Sequence, residues 1–314
     1  MLDLFSGIGG FHEGFKRAGY QFDWVGFSEI DKYASAVYKY NYKESEELGD
    51  ITTIQPGRDT PDNIDILCGG FPCQAFSVAG KRLGFDDTRG TLFFEIARIL
   101  RYHRDVGKPV SCFLLENVKG LLSHDNGRTF ATIYRVLNNL GYTIEFQLLN
   151  TRWWLPQNRE RIYIVGYIGN RGGSKIFPIG EDGEVSDNTS RDYKEPRLIQ
   201  TFTERSFDGK REDGGRAIRY HKVPGETPCL SSQMGMGGNN VPMMKVPEAT
   251  NIRRLTPVEC NRLQGFSDDH NKYGIIDNKV VEISDTQRYK QAGNAVTVDV
   301  VQAVATIIKE KELL

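Results

Sequence analysis

DLFSGIGG, residues Asp3–Gly10, joins a short apolar segment, Met1–Phe5, to a run in which Phe11, Phe15 and Ala18 fall on one helical face. A strand followed by such a run opens an α/β unit, and Gly7, Gly9 and Gly10 let the connecting backbone turn tightly and approach a ligand. Glu29 comes at the end of the next apolar segment, Trp24–Ser28. A carboxylate there can accept the hydroxyls of a ribose. The alternative for the glycines is tight packing alone. GxGxxG is absent, which favours a cofactor with a single adenosine over a nicotinamide dinucleotide. Asp50 is a candidate for the adenine amino group or a solvated loop acid.

Working outward, apolar segments and amphipathic runs alternate as far as residue 168. The pattern predicts helices over Gly9–Ala18, Asp31–Tyr40, Leu92–Tyr102 and Phe130–Leu140. It predicts strands over Ile64–Cys68, Cys112–Leu115, Thr143–Leu149 and Arg161–Ile168. Alternation of this kind implies a parallel sheet covered by helices on both faces. After Gly169 composition shifts to Gly and charged residues, and neither helical nor strand periodicity persists. Val296–Leu313 is helical again. The expected organisation is therefore a catalytic, cofactor-binding domain over 1–168 plus 283–314, with a small, loop-rich domain inserted over 169–282.

The 314 residues carry 40 basic and 41 acidic side chains, a net charge of -1. This excludes a chain coated in basic residues but not a basic cleft for nucleic acid. The five cysteines form no CxxC pair, so neither a disulfide framework nor a zinc cluster is expected, and no metal. Reducing, cytoplasmic conditions fit that usage. No apolar run is long enough for a membrane span, and the start lacks the pattern of a signal peptide.

GGFPCQAFSVAG, Gly69–Gly80, places Cys73 directly after Pro72 at the end of a strand. Cys68 and Cys112 lie inside apolar runs and read as inert. Cys73 is followed by small and polar residues and reads as a nucleophile. Glu116 ends the Phe113–Leu115 run, at the sheet edge where such sites gather. A thiolate adding to carbon 6 of cytosine makes carbon 5 nucleophilic, and the attack needs a proton shared at ring nitrogen 3, a role for Glu116. Arg159 and Arg161 are two apart, so a strand would present both on one face. They read as ligands of the base or as a surface pair with Glu160. A base inside a duplex must be flipped out. Gly80–Gly90, carrying Lys81, Arg82 and Arg89, is the candidate closing loop, with glycine hinges and phosphate contacts.

Eight ordered blocks now resemble one family, the cytosine-C5 DNA methyltransferases of the prokaryotic and phage modification type. They are DLFSGIGGF, SEID, GGFPCQAFSVAGKR, RGTLFFEIAR, ENVKGLL, QNRERIYIVG, RRLTPVECNRLQGF and QAGNAVTVDV. The resemblance spans nearly the whole chain, with about 170–245 the exception. It implies a Rossmann-like S-adenosylmethionine-dependent methyltransferase sheet with an inserted target-recognition domain. It implies that Phe5, Gly7, Gly9, Gly10, Glu29, Ile30, Asp50, Ile51, Leu92 and Asn294 form the cofactor site. Cys73 is then the nucleophile, Glu116 the group at nitrogen 3, and Arg159 and Arg161 orient the base, while Pro72 and Asn117 position the catalytic pair. S-adenosylhomocysteine is the implied product.

Ser77, Lys81, Arg82, Arg89, Gln233, Asn239 and Asn240 are the expected DNA contacts. Further base-reading candidates are Arg191, Arg197, Arg205, Arg211, Arg216 and Arg219. The implied partners are double-stranded DNA carrying a short target and a separately acting cognate restriction endonuclease, with the chain a monomer. The family usually has several residues ahead of the first motif, so a shorter first strand is expected here. Three rivals differ in testable ways. Transfer RNA methylation goes with a Cys-Phe-Thr signature, which is absent. A silent base-flipping module would lack Cys73 or Glu116. A thiol hydrolase would need a paired histidine.

Overall fold

A computed structural model describes residues 1–72, 92–169, 176–180, 201–205, 217–220, 226–235, 241–245 and 252–314. The predicted strands and helices over the first 168 residues form within a few residues of their expected bounds, where those residues are described. Strands β1 (Leu2–Leu4), β2 (Gly26–Ser28), β3 (Glu46–Glu47), β4 (Ile66–Gly70), β5 (Cys112–Val118), β6 (Tyr142–Asn150) and β8 (Glu160–Ile168) build one seven-stranded sheet. Its order is β3-β2-β1-β4-β5-β8-β6. β7 (Gln157–Asn158) lies just ahead of β8. Helices α1 (Gly10–Arg17), α2 (Lys32–Asn41), α3 (Leu92–Asp105) and α4 (Arg128–Asn139) connect the strands.

Period-two alternation places the strand side chains on two cores. Ile66, Cys68 and Leu114 face one core with Phe11, Phe15, Val301 and Val304. Leu67, Phe113 and Leu115 face the other with Phe93, Ile96, Ile133 and Leu137. This double burial is why β5 reads as a continuous apolar run. Asp31 caps α2 as its sequence suggests, accepting from Tyr33 N at 2.9 Å and Ala34 N at 3.1 Å.

The sheet is mixed, not parallel. β8 runs antiparallel to both β5 and β6. Only residues 151–159, with no crossover helix, separate β6 from β8, and so short a link forces reversal.

Beyond residue 200 the described backbone forms β9 (Thr201–Arg205), β10 (Ala217–Tyr220), β12 (Met243–Lys245) and β13 (Ile252–Arg254), an antiparallel sheet of order β10-β9-β12-β13. Between them β11 (Thr227–Pro228) pairs in parallel with β7. Next come α5 (Pro257–Leu263), the hairpin β14 (Tyr273–Ile276) and β15 (Lys279–Glu282), α6 (Asp285–Asn294) and α7 (Val298–Glu310). α7 packs on α1, and the hairpin packs on α2. Phe266 and Ile283 share a cluster with Ile8, Val37 and Val298. Residues 255–282 are thus fastened to the part that carries the seven-stranded sheet. Among the described residues, no helix is long and apolar enough to cross a membrane, and no His/Cys/Asp/Glu group could hold a metal ion.

Candidate active site

The sheet order reverses between β1 and β4, and ligands of doubly wound sheets bind outside the carboxyl ends of the strands at such a point. A cavity of about 360 Å³ opens there. Four strands end on it: β1 supplies Phe5 and Gly7, β2 Glu29, β4 Gly70 to Pro72, and β5 Glu116 to Val118. Arg159, Arg161 and α6 close it.

One half is acidic and partly apolar. Gly7 has φ of +54°, and a Cβ there would find nothing within 4 Å. This leaves an open backbone cradle. Glu29 bridges the turn, Oε2 accepting from Gly7 N and Oε1 from Asp31 N, both at 2.8 Å. Burial raises its pKa above the ordinary value, against the lowering effect of those two amides. Asp31 pairs with Lys290 Nζ at 2.5 Å, tying α2 to α6.

The other half centres on Glu116, 9% exposed. It stands opposite Gly70 in the β4–β5 register. Because β8 is reversed, Arg161 lies across from Val118 at the same edge, and its Nε comes within 3.0 Å of Glu116 Oε1. That oxygen is buried and makes no aligned hydrogen bond among the described residues, so the contact is an ion pair by distance. Burial works against charge on Arg161, but Glu116 and Cys229 outweigh it and raise its pKa. Asn117 Nδ2 donates to Phe71 O at 2.8 Å, fixing the backbone that leads into Pro72.

Arg159 is 3% exposed and acts as a clasp. Nη1 donates to Leu230 O at 3.1 Å and Gly293 O at 3.3 Å, and Nη2 to Ala295 O at 2.8 Å. Gln157 extends the clasp, accepting from Leu230 N at 3.0 Å and donating to Leu263 O at 2.7 Å. Glu160 pairs with Lys119 rather than with either arginine.

Phe5, Gly7, Glu29, Pro72, Glu116, Asn117, Arg159, Arg161 and Asn294 therefore converge on one cavity. Other expected residues lie outside its lining. A Cβ on Gly9 would meet Tyr42 at 2.4 Å, and one on Gly10 would meet Val296 at 2.6 Å, so both are packing glycines. Asp50 is exposed and caps the turn Ile51–Thr53, accepting from Thr52 N at 2.9 Å. Ile51 is buried in the sheet core, and the half-buried Leu92 packs against it. Ile30 lies between two lining residues and is largely exposed. Gln233 lies in the turn Ser232–Gly235 against α6. Cys73, Ser77, Lys81, Arg82, Arg89, Asn239, Asn240, Arg191, Arg197, Arg211 and Arg216 fall outside the described residues, and of Arg205 and Arg219 only the backbone is described.

The sequence reading passed over four participants. Asp31, Lys290 and Gln291 line the cavity. Cys229 brings its Sγ within 3.4 Å of Arg159 Nη1 and 3.6 Å of Arg161 Nη2. The TPCL sequence around Cys229 carries no periodic signal, and tertiary pairing of β11 with β7 brings it here.

A cleft at the strand ends of a doubly wound sheet, with a buried carboxylate facing a guanidinium, places the chain among α/β proteins that bind their ligands at a topological switch point. The chain belongs to the C-5 cytosine-specific DNA methylases, whose family model matches residues 1–310. It is 42% identical over 317 residues to the type II methyltransferase M1.ScrFI of Lactococcus lactis subsp. cremoris, covering 97% of this chain and 76% of that protein. It is 42% identical over 321 residues to M.NgoBI of Neisseria gonorrhoeae, covering 98% and 92%. The S. pombe Dnmt2 methyltransferase superposes with a TM-score of 0.70 at 20% identity, over 98% of each chain, and shares the fold.

Proposed function

We propose that this chain methylates carbon 5 of a flipped cytosine in a short double-stranded DNA target, with S-adenosylmethionine as donor and Cys73 as nucleophile. The observation that carries the reading is Glu116 with Arg161 at the end of β5, reached by a backbone that Asn117 holds two residues before Cys73.

The cofactor half fits the donor: the Gly7 cradle is open, and Glu29 is a buried carboxylate that suits hydroxyl donors and a cationic ligand. Phe5, Gly7, Glu29 and Asn294 would hold it, and when bound it supplies an electrophilic methyl group to carbon 5. The Cys73 thiolate adds to carbon 6 while Glu116 holds a proton at nitrogen 3, so the ring becomes an enamine without building negative charge. Arg161 orients Glu116 and the base. After transfer, carbon 5 loses its proton and the thiolate leaves, restoring the aromatic ring and releasing one proton overall. Residues 169–282 form the recognition part, with 255–282 anchoring it. Ser77, Lys81, Arg82 and Arg89 meet phosphates as the Gln74–Gly90 loop closes. Gln233, Asn239 and Asn240 approach base edges. The setting is the cytoplasm of a bacterial or phage-infected cell, with the enzyme acting as a monomer apart from any cognate nuclease.

Bisulfite sequencing of DNA from a host lacking cytosine methylation and expressing this chain tests the reading. Protection confined to one recurring short sequence, and abolished in Cys73→Ala, is expected. Soluble protein with no protected cytosine would refute it.

A further inference from the structure

Each nitrogen of the planar Arg161 guanidinium has one neighbour among the described residues. Nε faces Glu116 Oε1 at 3.0 Å, Nη1 donates to Glu160 O at 2.8 Å, and Nη2 donates to Cys229 Sγ at 3.6 Å. The Glu160 carbonyl belongs to the preceding residue and moves with the arginine's own backbone, so it cannot hold the plane against the rest of the protein. The Glu116 contact is unaligned. Cys229 is then the aligned contact from another segment that fixes which way Arg161 faces. Its own place is firmly set. Thr227 N donates to Pro156 O at 2.8 Å and Leu230 N to Gln157 Oε1 at 3.0 Å, and both residues are buried, while Cys229 between them is exposed. The thiol donates its one proton to Leu230 O at 3.3 Å, which leaves the sulfur lone pairs for Arg159 Nη1 at 3.4 Å and Arg161 Nη2. Arg159 keeps three carbonyls without the sulfur, those of Leu230, Gly293 and Ala295. Arg161 depends on it more.

We propose that Cys229 is a positioning residue of the transfer reaction: its sulfur sets the plane of Arg161 and, through it, the Glu116 carboxylate. A rigid fork needs a fixed plane to present Nε to a carboxylate, and a side chain held only by its own backbone and an unaligned ion pair lacks one. The segment 226–235 and the end of β5 thereby act as one unit. The effect on rate rests on the methyltransferase reading; the effect on Arg161 does not.

Single-turnover methyl transfer by the full chain, at saturating S-adenosylmethionine and target DNA, tests it. Cys229→Ala should slow transfer about tenfold, the low end for a hydrogen bond to a charged group because sulfur is a weak acceptor, with DNA affinity unchanged. Cys229→Ser, whose hydroxyl can accept in the same place, should recover part of the rate. In an Arg161→Lys background, Cys229→Ala should cost nothing further, since the two act as one unit. Additive losses in the double variant would make Cys229 a packing residue, and weakened DNA binding at an unchanged rate would make it a DNA contact; either overturns the proposal. Nuclear magnetic relaxation of the Arg161 Nε–H, without DNA or cofactor, reads the positioning directly. That group should be ordered in the wild type and in Cys229→Ser and mobile in Cys229→Ala, and equal order in all three overturns the proposal. Order lost in Cys229→Ala, with a wild type that transfers no methyl group, would uphold the positioning and refute the reading of the reaction.

Discussion

Glu29 shows how one side chain sets a binding site. Its carboxylate is mostly buried, its pKa is raised by burial, and among the described residues it accepts from the backbone amides of Gly7 and Asp31. No ion pair is made to it among the described residues, so it suits the hydroxyl donors of a ligand. Glu29→Ala should weaken S-adenosylhomocysteine between about ten- and a hundredfold, the range for hydrogen bonds to a charged acceptor. Titration calorimetry checks this, and unchanged affinity would remove Glu29 from the cofactor site. Glu29, Glu116 and both arginines were legible because each sits at a strand end, where an apolar run stops at a charge. Gln291 was not, since an uncharged residue inside a polar stretch gives no such contrast. Cys229 was hidden for another reason: its neighbours Arg159 and Arg161 sit just ahead of β8 and at its start, about seventy residues away in the chain.

At the level of elements, the join between α1 and α7 sets two effects against each other. Alanine at Gly14 would favour an exposed helix by about 1 kcal/mol. Its Cβ would, however, meet Val301 Cγ1 at 2.4 Å and Cβ at 2.6 Å in a packed core. Overpacking costs about 1–3 kcal/mol, so Gly14→Ala should lower the urea midpoint, and a raised midpoint would refute the close packing. Helices α1 to α4 were readable because their apolar faces follow the 3.6-residue period. α6 was not, because Arg288 and Gln291 are among the residues it buries. α5 carries a capping box, Thr256 with Glu259, and Pro257 at its first position. Those local signs mark its start although the helix is too short for periodicity. The reversal of β8 follows from the length of a connection, which periodicity does not encode.

Across the whole molecule, buried titratable groups pull stability in opposite directions with pH. Burial lowers the pKa of both His12 and His270 to about 4. Each stays neutral in the fold while the unfolded chain takes up a proton near pH 6.5. Their contribution is present above pH 6.5 and is lost as pH falls toward 4, at about 3 kcal/mol each. Burial raises Asp3 to about 7. Its contribution is therefore present below about pH 4 and is lost as pH rises to 7. Asp3 thus offsets part of the acid loss, and Asp3→Asn should lose stability more steeply than the wild type between pH 7 and 4. Urea midpoints measured across that range check this, and parallel profiles would overturn it.

The Arg159 clasp has a further consequence at this scale, for anyone exchanging target specificity between relatives. Leu230 and Leu263 present backbone carbonyls to Arg159 and Gln157, and Gly293 is packed so closely that a Cβ on it would meet Ser231 at 2.1 Å. A graft that imports a foreign segment across 226–235 also imports the seat of Arg159. Chimaeras should keep their activity when the crossovers spare that segment, and lose turnover along with specificity when they cut through it.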